Sequence, residues 1–457
     1  MTNIKQNGTQ DWPPIPEELQ SICLDSDDDQ YSRFQSNYFQ VGHPALIFVA
    51  KTEAHVSEVI MYVAQLQRLS KDAVPFSIKS GGHGLTKQSI NQNGVILDLS
   101  QMNRVTVLDA EKGIFEAQCG AVWGDVAAKI GQSGLILSSG DFGDTGVGGL
   151  ATAGGIGLLV RKQGLTIDRI ISATIITSDG NRHVVSEEHE PDLFWALRGG
   201  SSQIGVVTNF VFQADKVPQT AQGVAVPIMY QKISYDLKDL LLFLRHWQQW
   251  LAKCDYDLSS LLMITKQEGG NSLVATGTNV WIGESTDEMK TLLRASKNLD
   301  QVVEYEWQQM SYADLVKAPH LDNKGDQDAY VKNVLVDQLD AEIVLKLAKL
   351  IALDSVMGLE VRAIDGAINM RAVNFNAWAH RQAKFFIAVW CDPTMSDDLN
   401  QQFKALHLEN LGVYGAYSSD ISQAETKRVW PSETGRRLHQ IAKQYDPNQI
   451  FNQSRRI

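Results

Sequence analysis

His83 closes the stretch Ser80-Gly81-Gly82-His83-Gly84, one residue after the strand-like run Val74-Pro75-Phe76-Ser77-Ile78 and its neighbour Lys79. Two adjacent glycines let a backbone approach a ligand closely and take φ > 0, while successive free N–H groups form an anion-binding concavity. An imidazole fixed at the rim of such a loop reaches whatever the loop cradles. Taken alone, so short a tripeptide is also the mark of a simple turn with a solvent-facing histidine. The second stretch with chemical content is Gly140 to Gly157, GDFGDTGVGGLATAGGIG. Within it Gly146 to Ala151 matches the dinucleotide pattern G-x-G-x-x-A, and Asp168 follows Gly146 by 22 residues, where a ribose-binding acid is sought. The order of elements argues against an NAD-dependent dehydrogenase. Six residues, Gly140 to Thr145, separate Gly146 from the run Leu135-Ile136-Leu137-Ser138-Ser139, and Asp168 opens the next apolar strand instead of ending one. The segment Ala153-Gly154-Gly155-Ile156-Gly157 would also make a poor helix.

The elements that must position these loops are legible from periodicity. Ala45-Leu46-Ile47-Phe48-Val49 reads as a short strand, followed by an amphipathic helix with Val56, Val59, Ile60, Val63 and Leu66 at helical spacing. Short strands are expected near 74–79, 94–99 and 113–118, a helix near 123–132, and a buried strand over Ile170 to Thr177. Beyond about 216 the character changes. Apolar alternation at Val224–Tyr230 and Ser272–Ile282 predicts antiparallel strands, separated by long amphipathic helices at about 235–253, 285–299 and 339–353. Ser285 and Glu288 spell a capping box for the second of these helices. Strands and helices in separate runs predict an α+β fold, one antiparallel sheet covered by helices.

A chain of 457 residues has room for two domains or three. A net charge of −12 without a Lys/Arg run argues against a phosphate-tracking groove, so no nucleic-acid partner is expected. No apolar stretch approaches the roughly 20 residues that span a bilayer, so no membrane partner is expected either. The four cysteines, Cys23, Cys119, Cys254 and Cys391, are widely spaced without metal-ligand spacing. With an amino terminus that lacks a signal-peptide core, they predict a reduced, metal-free, cytoplasmic protein.

Residues 75–102 resemble the first flavin-binding segment of the berberine-bridge-enzyme-like oxidases, of the vanillyl-alcohol-oxidase (PCMH-type FAD-binding) superfamily. The resemblance continues through Gly120-Ala121-Val122-Trp123-Gly124-Asp125-Val126, the run 146–157, Asp192 to Gly200, and Tyr445-Asp446-Pro447-Asn448-Gln449-Ile450-Phe451. It implies a two-domain PCMH-type fold. Residues 1–215 would form the FAD-binding domain, 216–424 an α+β substrate domain, and 425–457 a return to the first domain. It implies FAD bound by Lys79, Ser80, Gly81, Gly82 and Gly84, and carried covalently on His83 through the 8α-methyl carbon. Gly146, Gly148, Gly149, Gly154, Gly155 and Gly157 would wrap the flavin and pyrophosphate, with Gly205 and Val207 near the adenine or ribose. Bicovalent relatives carry a cysteine where this chain has Phe142, so a single link is expected. Thr145 takes the place of the residue that governs oxygen access. Arg198 suits a phosphate ligand or a helix-terminal salt bridge equally well, and His380 reads as a structural hydrogen-bonding residue. Tyr417 is the candidate catalytic base, although Ser419 and Asp420 depart from the pattern beside it.

The activity so implied is oxidation of a small molecule at a C–H beside oxygen or nitrogen, with O2 as acceptor. Relatives act on sugars, alkaloids, hydroxylated nicotines and antibiotic intermediates. The alternative is a flavoprotein whose pocket performs a non-redox cyclisation.

Overall fold

The computed structural model describes residues 12–457 apart from 201–202, 220–225, 268–271, 284–285 and 322–324. Its first sheet has the order β1 (Cys23–Leu24), β2 (Leu46–Val49), β4 (Val95–Asp98), β3 (Phe76–Lys79), with β3 and β2 both parallel to β4. Burial on both faces explains why Val95-Ile96-Leu97 and Leu46-Ile47-Phe48-Val49 are unbroken apolar runs. The helix Glu53–Leu69 supplies one cover, its buried Val56, Val59, Ile60, Val63 and Leu66 at the spacing read from sequence. A second, antiparallel sheet has the order β5 (Val105–Asp109), β6 (Ile114–Gln118), β10 (Val206–Gln213), β8 (Ile170–Ile176), β9 (Arg182–Ser186). β7 (Leu135–Ile136) and β11 (Asp215–Lys216) form a separate short antiparallel pair.

The third sheet is antiparallel and seven-stranded. Its order is β15 (Gln301–Met310), β12 (Ile228–Leu237), β14 (Leu273–Trp281), β13 (Leu258–Lys266), β17 (Val356–Ala363), β18 (Phe385–Cys391), β16 (Tyr330–Val336). Helices Leu240–Leu251, Asp287–Ala295, Ala341–Ile351 and Ser396–Ala405 pack on one face through Phe243, Trp247, Met289, Leu347 and Phe403, among others. This is the expected α+β arrangement.

Strand alternation sorts the central strands into two environments. Leu359, Val361, Phe385, Ile387 and Val389 join the core beneath the helices, while Phe386 and Ala388 join the core that contains the first two sheets. The residues between them in β17, Glu360 and Arg362, therefore turn towards that second core.

Two details differ from the sequence reading. Of the strand expected at Val224–Tyr230, residues 224–225 lie outside the described residues. The described strand runs from Ile228 to Leu237, where its ladders with β14 and β15 continue, and the helix begins only after Asp239 accepts from the Leu242 N–H. Ser285 lies outside the described residues, and the helix after it is capped by Thr286, which accepts from the Met289 N–H.

The last residues touch the first sheet. Asn452 accepts from the Phe76 N–H at 3.0 Å and donates to the Val74 carbonyl at 2.7 Å, and Phe451 stacks on Phe76. Asp446 of the DPxxxF stretch accepts from the Ile450 and Phe451 N–H groups, which closes the turn that delivers Phe451.

Asp168, the acid that a ribose would need, is spent on a buried ion pair. Arg381 reaches it with both terminal nitrogens at 2.8 and 2.7 Å, and Asn376 donates to it at 3.0 Å. Both charged side chains are almost wholly enclosed. Asp168→Ala leaves the Arg381 charge enclosed without its partner and is expected to cost about 3–5 kcal/mol. Chemical denaturation checks this; a loss below about 1 kcal/mol would show that solvent or a neighbour takes over the charge.

Candidate active site

The glycine loop is held by its neighbours in a form that only glycine permits. Gly81 and Gly146 approach so closely that a Cβ on either would lie 2.2 or 2.1 Å from the other's backbone nitrogen. Gly82 has φ +68°. Ser80 donates to the Cys119 carbonyl at 2.5 Å and accepts from the Gly148 N–H at 3.3 Å, which ties the loop to the glycine-rich run. That run forms a short helix, Val147–Ala153, ended by Gly154 and Gly155 at φ +154° and +84°. At the loop's end His83 leans on the rings of Tyr38 and Phe142. Its Nε2 is buried with no hydrogen-bond partner. Burial pulls the imidazole down to about 4 against an opposing pull from Asp144, so the ring is neutral at ordinary pH and keeps a lone pair.

These residues border a cavity of about 720 Å³. Ser80, Gly81, Gly82, His83, Gly84, Phe142, Thr145, Gly146, Gly148, Gly149, Gly205, Val207 and Tyr417 all line it. Four expected residues do not. Lys79 alternates away from Ile78 and Ser80, and its ammonium is buried against the Phe34 carbonyl at 3.0 Å and Asp98 at 3.6 Å. Gly154 lies under Tyr414, and the Gly155 N–H donates to the Tyr414 hydroxyl at 2.9 Å. Gly157 abuts the Ser139 carbonyl, where a Cβ would sit 1.7 Å away. These three glycines thus shape the wall behind the cavity. Arg198 is also outside it: at the end of the helix Pro191–Leu197 it donates to the Phe194 carbonyl, lies over the Phe194 and Phe375 rings and stands 3.9 Å from Glu187. His380 meets the Arg428 and Val429 carbonyls, as expected of a structural residue.

The cavity is also lined by Trp378, Trp390, Tyr414 and Tyr417, and by Arg455 of the last segment. Tyr417 makes edge contacts with Phe386 and Trp390. Near it stands a charged group that the sequence reading missed. Arg362 donates from Nε to Glu360 and from Nη2 to Asp141, while its Nη1 is buried without a partner. Burial and the Glu360 carboxylate push the Tyr417 phenol up, and Arg362 pulls it back. The clue lay in Val356-Met357-Gly358-Leu359-Glu360-Val361-Arg362-Ala363, where two charges two residues apart interrupt an apolar strand.

A family described as "FAD binding domain" matches residues 44–186, which carry both glycine segments. That unit is an FAD-binding domain. Among relatives, an uncharacterised FAD-linked oxidoreductase, YgaK, of Bacillus subtilis (strain 168) is 29% identical over 60% of this chain. The match spans 57% of YgaK, so the chain aligns with little more than half the length of this relative. Berberine bridge enzyme-like 12 of Arabidopsis thaliana is 28% identical over 77% of the chain and 68% of its own length. The crystal structure of 6-hydroxy-D-nicotine oxidase from Arthrobacter nicotinovorans superposes with a TM-score of 0.82 over 97% of this chain and 98% of that one. At 20% identity that likeness is one of fold, and the fold is the PCMH-type fold expected. The FAD-binding domain also fits its cofactor locally. Its glycine backbones leave a bare wall for a planar ring, and His83 offers an unpartnered nitrogen at the wall's edge.

Proposed function

We propose that the protein is an FAD-dependent oxidase that takes a hydride from a C–H beside oxygen or nitrogen of a small organic molecule, with dioxygen as the final acceptor. FAD, when bound, supplies the two-electron acceptor. The chain's own residues bind, orient and deprotonate. The glycine walls admit the ring system, and residues 1–215 with 425–457 act as the unit that holds it. Trp378, Trp390 and Tyr414 form an aromatic wall that orients the substrate and limits water around it. Tyr417 contacts the substrate's O–H or N–H and takes its proton at the phenolic oxygen. Because burial disfavours a free phenolate there, the Tyr417 proton passes on towards Glu360, whose charge Arg362 balances.

The observation that carries this reading is His83 Nε2, buried and unpartnered at the rim of the glycine-lined cavity. It supports attachment of the flavin to His83 and to no other residue, since Phe142 offers no second nucleophile. All four cysteines are free; a cytoplasmic location is part of this proposal. Among the described residues, no helix is long and apolar enough to cross a membrane. Mapping of the tryptic peptide Ser80–Lys87 tests the attachment. We expect it to carry the full flavin mass and every other peptide to be unmodified. An unmodified peptide from yellow protein would refute the linkage, and colourless protein would refute the flavoenzyme.

A further inference from the structure

The rings around His83 have no part in the activity just described, and their arrangement points to a task of their own. The Tyr38 ring stacks on the imidazole with centroids 4.6 Å apart and planes 21° apart. Phe142 meets the same imidazole at 5.2 Å with a 42° tilt, and Tyr38 and Phe142 touch at 5.8 Å. Tyr38 is not a loose neighbour. Its N–H donates to the Gly82 carbonyl at 2.8 Å, one residue before His83. The preceding Asn37, wholly buried, donates to the Gly84 carbonyl and to Ser89 Oγ at 3.3 Å each. Its Oδ1 accepts from the Phe39 and Gln40 N–H groups at 2.9 and 2.7 Å. Lys79 adds a bond to the Phe34 carbonyl from the other end of the loop. Segment 34–40 is thus stitched to segment 79–89 on both sides of the imidazole, and the stacked ring is delivered by that stitching.

We propose that Tyr38 is the positioning residue for covalent attachment of FAD: its ring holds the His83 plane so that a ring nitrogen faces the flavin methyl carbon. This rests on the reading of His83 as the attachment point. The attachment joins that nitrogen to the methyl carbon. One methyl hydrogen and the imidazole hydrogen leave as protons, two electrons stay in the ring system, and dioxygen removes them with two protons as hydrogen peroxide. No other reagent is needed, so the rate depends on how often the imidazole presents its nitrogen. A side chain free to turn about two torsions presents it seldom, whereas a stacked one presents it continually. Stacking uses the ring face and leaves the hydroxyl out of the task, which separates Tyr38 from an acid–base role.

The test uses the full chain, expressed in riboflavin-starved cells and then mixed with FAD in air. Total binding is read by flavin fluorescence quenching and attachment by the flavin that stays with acid-precipitated protein. Tyr38→Ala and Tyr38→Leu are expected to bind FAD as the parent does and to attach it roughly 10- to 100-fold more slowly. Tyr38→Phe is expected to attach at the parent rate. Parent-like attachment in both the Ala and Leu variants would overturn the proposal. Equal slowing in Tyr38→Phe would overturn it too, because the hydroxyl and not the stacked face would then matter. If the parent chain attaches no flavin, or His83→Ala still attaches it, the reading of His83 fails and takes this proposal with it. Parent attachment at His83 with unaffected Tyr38 variants would sink the proposal alone.

Discussion

His83→Ala is expected to release all of its flavin on acid precipitation, whereas the parent protein keeps its flavin in the pellet. The effect is all-or-none because, among the described residues that line the cavity, His83 is the one histidine, and its Nε2 stands unpartnered. The Phe142 side chain carries no nucleophilic atom, and the Cys119 side chain is wholly buried. Burial also pushes the Cys119 thiol up to about 12, far from a reactive thiolate. The variant should still fold and bind FAD non-covalently, since the backbone of Ser80 to Gly82 and Gly146 to Gly149 is unchanged. Absorbance of the filtrate and pellet after precipitation checks the result. Covalent flavin persisting in the variant would place the link elsewhere.

Tyr417→Phe is expected to slow flavin reduction by roughly 10²–10⁴-fold, the usual contribution of a positioned acid–base group. Only one oxygen is lost, so the edge contacts with Phe386 and Trp390 and the bound-flavin spectrum should persist. The electrostatics sharpen the expectation. Burial and Glu360 hold the phenol above its ordinary value of 10, so in the parent protein the phenol stays protonated through neutral pH. The rate of the reductive half-reaction should therefore show no rise near pH 10, and Glu360→Gln should lower it as well. Stopped-flow reduction across pH checks this. Lost stability with an unchanged reduction rate would mark Tyr417 as a buried structural hydroxyl.

Sequence patterns revealed the parts of the molecule where a physical demand falls on one residue type. Gly81 and Gly146 must be glycine because their backbones nearly touch, and both stood out in the chain. The helices over the third sheet were legible because one apolar face repeats every 3.6 residues, as in Phe243, Leu244, Trp247 and Leu251. The cluster of Glu360, Arg362, Asp141 and Tyr417 was not legible. It forms when β17, the glycine-rich run and a late segment converge, and no spacing within any one segment encodes that meeting. Lys79, Gly154, Gly155 and Gly157 fall outside the cavity lining for a related reason. A motif gives the position of a residue along the chain, but strand alternation and the packing of Phe34, Tyr414 and Ser139 decide which way it faces.

Anaerobic mixing of the purified protein with a panel of sugars, alcohols and amines tests the oxidase reading most directly. A true substrate is expected to bleach the flavin absorbance in a single turnover, with colour restored and hydrogen peroxide formed when air is admitted. Product formation with the flavin still fully coloured would contradict the account and establish a non-redox reaction in the same cavity.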